Sequence, residues 1–233
     1  STQAKTLFPY TTLFRSKSRK IVKNDPNPCL TFFSLFLIGP IMNIHQLALT
    51  PFRVPFFLAN PHLQTILPKF IKLQKPHYQR HLHPDRTQTT QVAYDFVFAN
   101  HDNQPTLDKP LAVMFHGLEG SSESHYAMAF ANHAHQLGYD AVIVHFRGCG
   151  GVENTAPIDY NAGDTAEALH VFELLKAKYG YGHILASGVS LGANMLARYM
   201  GEQGDDALCD AAVVISAPVD LTTSAKAMHR FVA

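Results

Sequence analysis

Four short, almost unbroken apolar runs constrain the fold of this 233-residue chain more than any other feature. They are LAVMF (residues 111–115), AVIVHF (141–146), HILASGV (183–189) and AAVVISA (211–217), each the length of a strand. Between and beside them lie longer segments with helical periodicity, at 124–137, 163–179 and 191–202. In the second of these, Ala168, Val171 and Leu175 recur at spacings of three and four, while Glu167, Glu173 and Lys176 are free to face water. A strand lacking polar alternation is buried on both faces, and a helix between two such strands serves as a crossover. The fold class is therefore α/β: a doubly wound, mostly parallel sheet with helices on both faces.

The stretch before the first run is read differently. From Met42 to about Lys75 the chain is rich in Pro, Phe and Leu, and prolines at 51, 55, 61, 68 and 76 exclude long helices. Residues 42–90 are expected to form an irregular segment packed on the core. The core itself spans 91–233 and opens with an alternating stretch in which Val92, Tyr94, Phe96 and Phe98 share one face of a half-buried strand.

Residues 1–41 are expected to be a non-native leader. LFPYTTLFRS (7–16) matches, over all ten residues, the translation of a common short-read sequencing adapter, CTC TTT CCC TAC ACG ACG CTC TTC CGA TCT. Sequence of that origin is set aside from fold reasoning. The basic stretch and apolar run that follow, ending near Ile38, imitate a secretory signal but are too short to span a bilayer, which needs about 20 apolar residues. Met42 is the expected start and the cytoplasm the expected location. Secretion is the alternative if 17–41 is a genuine signal.

Composition narrows the partners. With 19 basic and 18 acidic residues, and no basic run outside the leader, nucleic acid is set aside. Three widely spaced cysteines, Cys29, Cys149 and Cys209, fit a reducing compartment better than a disulfide framework or a zinc site. Two His-x-His pairs, His81 with His83 and His133 with His135, lack a third suitably spaced ligand, so no metal is expected. No integral membrane segment is expected either.

The chemistry concentrates in loops that follow the apolar runs. Gly188-Val189-Ser190-Leu191-Gly192 lies directly between a strand and a helix, the setting in which a serine is exposed as a nucleophile on a sharp turn. Ser190 is the candidate nucleophile. The backbone N–H of Leu191, at the helix start, is the candidate first donor to the oxyanion formed on attack. Its partner is the N–H of Leu118, in the His116-Gly117-Leu118-Glu119-Gly120 loop after the first run. The third loop, Arg147-Gly148-Cys149-Gly150-Gly151, is not a dinucleotide fingerprint, since Glu153 stands where the last glycine would be. No cofactor is implied. Arg147 is expected to brace loops by binding carbonyls, and Cys149 to be a small buried residue rather than a nucleophile.

Together these segments resemble the α/β-hydrolases, and within them the YheT-like branch of predicted esterases and lipases. The resemblance rests on NPHLQT (60–65), HGLEGSSESHY (116–126), FRGCGG (146–151) and GVSLGAN (188–194), and runs from about Pro51 to the last residue. It implies hydrolysis of carboxylic esters, with a small-molecule or lipid ester such as an acylglycerol as substrate. For NPHLQT it implies no chemical role, and Asn60 or Thr65 is expected to cap a short helix. It also implies a serine, acid, histidine order whose last two members follow the fourth apolar run. Asp220 is read as a helix cap or loop residue, and His229 comes too soon after that run to be the base. The chain is thus expected to be a C-terminal truncation, nearly inactive by itself, since losing the histidine of such a triad costs about 10⁶-fold in rate. The sheet edge beside the fourth run is expected to be unpaired. The alternatives are a hydrolase of thioesters or amides, and a binding protein on the same scaffold.

Overall fold

In the computed structural model of the chain, residues 11–15, 56, 59–70, 73–100 and 102–232 are described. The four apolar runs form β4 (Leu111–Phe115), β5 (Ala141–Val144), β6 (Ile184–Val189) and β7 (Ala211–Ile215). β4 and β5 are fully buried and β6 and β7 largely so, which is why none alternates. The helical segments form α2 (His125–Gln136), α3 (Thr165–Tyr179) and α4 (Leu191–Gln203). A further helix, α5 (Leu221–Val232), follows β7.

The sheet runs β1-β7-β6-β4-β5-β3-β2, where β1 is Thr11–Arg15, β2 is Gln79–Pro84 and β3 is Gln91–Val97. The β4-β5, β4-β6 and β6-β7 pairs are parallel. One face packs Val113, Phe115, Val144 and Ala186 against Phe172 and Leu175 of α3 and Met195 and Leu196 of α4. The other packs Ala112, Met114 and Ile143 against Ala127, Ala131 and Ala134 of α2. Small residues on α2 let that helix lie close to the sheet. Each large apolar side chain fully buried in this way contributes about 1.5–3 kcal/mol.

Chain order fixes where function can sit. The chain passes from β4 to β5 on one side and then to β6 on the other side of β4. The crevice at the carboxyl ends of β4 and β6 is therefore the topological switch point, where ligands bind in open α/β sheets.

Four expectations are corrected. The segment 42–90 is not irregular throughout, because Gln79–Pro84 pairs antiparallel with β3, from Gln79 opposite Phe96 to Pro84 opposite Gln91. Its polar composition hides it as a strand, and Pro84 stands at its end, where a missing N–H costs the ladder least. Consequently β3 is an interior strand buried on both faces from Val92 onward rather than half-buried. Glu167 does not face water: it is only 7% exposed, for a reason given below. The edge of β7 is not unpaired, because Thr11–Arg15 lies antiparallel along it, Thr11 opposite Ile215 and Arg15 opposite Ala211. Main-chain hydrogen bonds are indifferent to sequence, so an open edge accepts an extended segment of any origin. The rest of the leader, Met42 and Cys29 lie outside the described residues.

A short helix α1 (Pro61–Ile66) occupies NPHLQT. Asn60 is its cap: the side-chain oxygen accepts the His62 N–H at 2.8 Å, and Pro61 starts the helix where no donor is needed. Thr65 sits inside the helix and not at its start.

Candidate functional site

Ser190 stands at the corner between β6 and α4 with φ 52° and ψ −112°. A side-chain-bearing residue at positive φ costs on the order of 1–3 kcal/mol and persists only where its surroundings impose it. Here the imposition is close packing. A methyl group on Gly188 would meet the Gly192 carbonyl oxygen at 2.5 Å and the Ala193 Cα at 2.7 Å. One on Gly192 would collide with the Phe115 carbonyl oxygen and meet that of His116 at 2.6 Å. The two glycines therefore let β6, α4 and the end of β4 converge on one point. Ser190 N–H donates to the Ile215 oxygen at 2.9 Å, and the Asn194 side chain donates to the Pro218 oxygen at 2.8 Å, tying the corner to the loop after β7.

Two neighbouring loops share the unusual backbone. Glu119, in the loop after β4, has φ 51°, and Ser216, just after β7, has φ 55°. Strained residues thus cluster at the carboxyl ends of three adjacent strands, as they do at functional sites. The loop after β4 approaches the serine directly, since a methyl group on Gly117 would sit 3.3 Å from Ser190 Cβ. Among the described residues, the N–H groups of Leu118 and Leu191 donate to no other backbone or side-chain group, whereas the Gly117 N–H donates to the Tyr126 hydroxyl at 3.0 Å. The structure therefore gathers Ser190, Leu118 and Leu191 at one place. Leu118, more than half exposed, gives the loop after β4 an apolar residue open to solvent.

The loop is held from both sides. Tyr160 donates its hydroxyl proton to the Glu119 carboxylate at 2.6 Å and accepts the Glu119 N–H at 3.1 Å. His116, fully buried, donates from Nδ1 to the Gly117 oxygen at 2.7 Å and accepts the Phe146 N–H at Nε2 at 3.2 Å. Burial lowers its pKa to about 4, so the ring is neutral, and both nitrogens are engaged with backbone. His116 cannot take a proton from Ser190. Ser190 Oγ has no hydrogen-bonded partner among the described residues.

Ser122, His145 and Asp95 have the composition of a triad but a different wiring. Ser122 Oγ donates to Asp95 at 2.5 Å, and its backbone N–H donates to His145 Nε2 at 3.0 Å. His145 Nδ1 donates to the Ala93 oxygen at 3.0 Å. The serine proton therefore faces an acid that Arg80 already holds bidentately, at 2.7 and 2.8 Å, and no base is available to it. A polar depression of about 470 Å³ beside this group is lined by Arg80, Glu119, Ser121 and the 148–151 loop.

Arg147 braces loops as expected, but through carboxylates instead of carbonyls. Its guanidinium, 3% exposed, donates to Asp85 at 2.6 Å, Asp164 at 3.1 Å and Glu167 at 2.6 Å. Arg86 adds a second cation on Asp164 at 3.0 Å. This cluster ties the β2-β3 turn, the loop after β5 and the start of α3 together, and it explains the burial of Glu167, whose pKa that burial raises. Asp164 also caps α3 by accepting the Glu167 N–H. The sequence signal for that pair is the Asp-x-x-Glu spacing of a capping box. The partnership with Arg147 has no local signal.

The remaining assignments resolve simply. Cys149 is buried, and burial raises its thiol pKa. Asp220 caps α5, accepting the Thr223 N–H at 2.9 Å and its hydroxyl at 2.6 Å, contacts that lower its pKa. The side chain of His229 lies outside the described residues. His81 Nδ1 and His83 Nε2 meet at the Tyr179 hydroxyl, at 2.6 and 2.7 Å. Among the described residues no group of three or more His, Cys, Asp or Glu could hold a metal ion, and no helix is long and apolar enough to cross a membrane.

A family whose description is the α/β-hydrolase fold matches residues 110–231, more than half of the chain and all of the switch-point site. The protein belongs to the α/β-hydrolases. It is 37% identical to "Putative esterase YheT" of Escherichia coli (strain K12) over 177 residues, 74% of this chain and 50% of that one. It is 30% identical to the monoacylglycerol lipase of Saccharomyces cerevisiae over 118 residues, half of this chain and 26% of that one. The chain thus spans half or less of the length of these curated relatives. Among solved structures, the Pyrococcus furiosus esterase Pf2001 superposes with a TM-score of 0.51 at 22% identity, over 71% of this chain and 59% of that one, a likeness of fold.

Proposed function

We propose that the protein to which this chain belongs is a serine hydrolase of carboxylic esters in which Ser190 is the nucleophile. The observation that carries the reading is the strained corner at Ser190, packed against a loop and a helix start whose Leu118 and Leu191 N–H groups donate to no group among the described residues. In the proposed reaction Ser190 Oγ attacks the acyl carbon, the carbonyl oxygen becomes an oxyanion between those two donors, and the alcohol leaves. Water then releases the acid from the acyl-serine. The reaction also requires a base to take the serine proton and an acid to orient that base, and no such pair reaches Ser190 among the described residues.

The exposed Leu118 beside Ser190 supports an ester with a hydrocarbon acyl chain, as do relatives named for lipase and esterase activity. We also propose the cytoplasm as its location, a reading supported by Cys149, a buried thiol outside any disulfide among the described residues. One observation favours a second reading, a binding protein on a hydrolase scaffold: no base reaches Ser190 among the described residues. Both are tested on the full-length protein with a panel of glycerol and simple alkyl esters beside matched thioesters and amides. Ester turnover lost in Ser190→Ala supports the first reading, preference for thioesters or amides reassigns the substrate, and no turnover with retained ligand binding selects the second.

A further inference from the structure

Tyr126, which accepts the Gly117 N–H, belongs to the HGLEGSSESHY segment. It is the second residue of α2, half-buried, with its side chain packed against the small cluster of Met114, Ala127 and Ile143. Its hydroxyl oxygen lies inside the loop after β4, where it accepts the Gly117 N–H at 3.0 Å. Gly120 makes room for it: a methyl group there would sit 2.6 Å from the hydroxyl oxygen. Seen from Gly117, Ser190 Cβ and the Tyr126 hydroxyl are both neighbours, 3.3 and 3.7 Å from the position of an added methyl group. The hydroxyl accepts from backbone, but among the described residues nothing accepts its own proton. A phenol with an occupied acceptor and an uncommitted donor, bonded to the residue that precedes Leu118 in the loop beside Ser190, matches the requirement of an oxyanion site for preset donors.

We propose that the Tyr126 hydroxyl is a third oxyanion donor, acting beside the N–H groups of Leu118 and Leu191. By accepting from Gly117 it also removes that N–H from the competition, so the loop presents Leu118 to the oxyanion. The phenol proton remains on its oxygen throughout. It is shared by hydrogen bonding as negative charge grows on the former carbonyl oxygen, and no bond at Tyr126 breaks. The assignment rests on Ser190 being the nucleophile.

The test uses the full-length protein, with Tyr126→Phe, Ser190→Ala, and Tyr126 replaced by 4-aminophenylalanine, which keeps a donor at the same place. Removing one oxyanion donor lowers kcat by about 10²–10³-fold. Tyr126→Phe is expected to show that loss with KM unchanged. It should weaken binding of a trifluoromethyl ketone, which forms a tetrahedral oxyanion on the serine, by a similar factor, while the unreactive methyl ketone binds as before. The 4-aminophenylalanine variant should recover part of the rate. A Tyr126→Phe enzyme with near-normal kcat, or one slowed with unchanged trifluoromethyl ketone affinity, overturns the proposal. If Ser190→Ala is as active as the unaltered protein, the nucleophile reading fails instead, and that result is distinct.

Discussion

Gly192→Ala and Gly201→Ala make the same chemical change in the same helix, and the structure gives them opposite signs. At Gly192 the added methyl group would collide with the Phe115 carbonyl oxygen and lie 2.6 Å from that of His116 and 2.7 Å from the Phe115 carbonyl carbon. All three atoms are backbone at the end of a central strand, so no rotamer change relieves the contact. Forcing a methyl group into such a site costs typically about 1–3 kcal/mol, with about 1 kcal/mol at most regained from the better helix propensity of alanine. The net is roughly 1 kcal/mol of lost stability. At Gly201 nothing lies within 4 Å of the added carbon, so propensity acts alone and the variant gains about 0.5–1 kcal/mol. For a chain of this size 1 kcal/mol moves the thermal midpoint by about 2–4 °C. The expected midpoints are therefore about 2–4 °C below the parent for Gly192→Ala and about 1–4 °C above it for Gly201→Ala, read by circular dichroism melting. A Gly192→Ala protein as stable as the parent would refute the argument that close approach at this glycine shapes the corner.

Two further outcomes follow from the buried charges. Arg147→Met leaves Asp85, Asp164 and Glu167 without their shared cation, and breaking a buried pair in this way costs about 3–5 kcal/mol, measurable by urea unfolding at pH 7.5. His116 is neutral in the fold with a pKa of about 4, against about 6.5 when unfolded, so the unfolded chain binds the extra proton first. Its contribution is complete above pH 6.5 and is lost as pH falls towards 4. It amounts to about 2 kcal/mol between pH 7.5 and pH 5. Burial shifts His145 in the same direction and adds to the loss, while the raised pKa of Glu167 opposes it. Urea midpoints at the two pH values check it, and His116→Asn should flatten the slope.

The parts of the fold legible in the sequence are those whose cause is local. The strand runs β4 to β7 declare themselves because both faces are buried, and α2 to α4 are recovered within a few residues because one stripe of each is apolar. Where the cause lies in a distant partner, reading fails. β2 is a polar strand stabilised by main-chain pairing with β3, and the burial of β3 on both faces depends on α2, more than twenty residues away in sequence. Glu167 looked solvent-facing by helical phase alone, because Arg147, on another loop, supplies the compensation. The site divides in the same way. The glycine spacing around Ser190 is a backbone requirement written into five consecutive residues, whereas the uses of Tyr126, Tyr160 and His116 depend on how the loop after β4 folds back over β6.

The account stands on Ser190 as the reactive nucleophile, and covalent labelling tests it most directly. The full-length protein is treated with a fluorophosphonate and the modified peptide mapped by mass spectrometry. The predicted result is stoichiometric modification of Ser190, abolished in Ser190→Ala and slowed in Tyr126→Phe. Label on another residue, or undiminished label in Ser190→Ala, would contradict it.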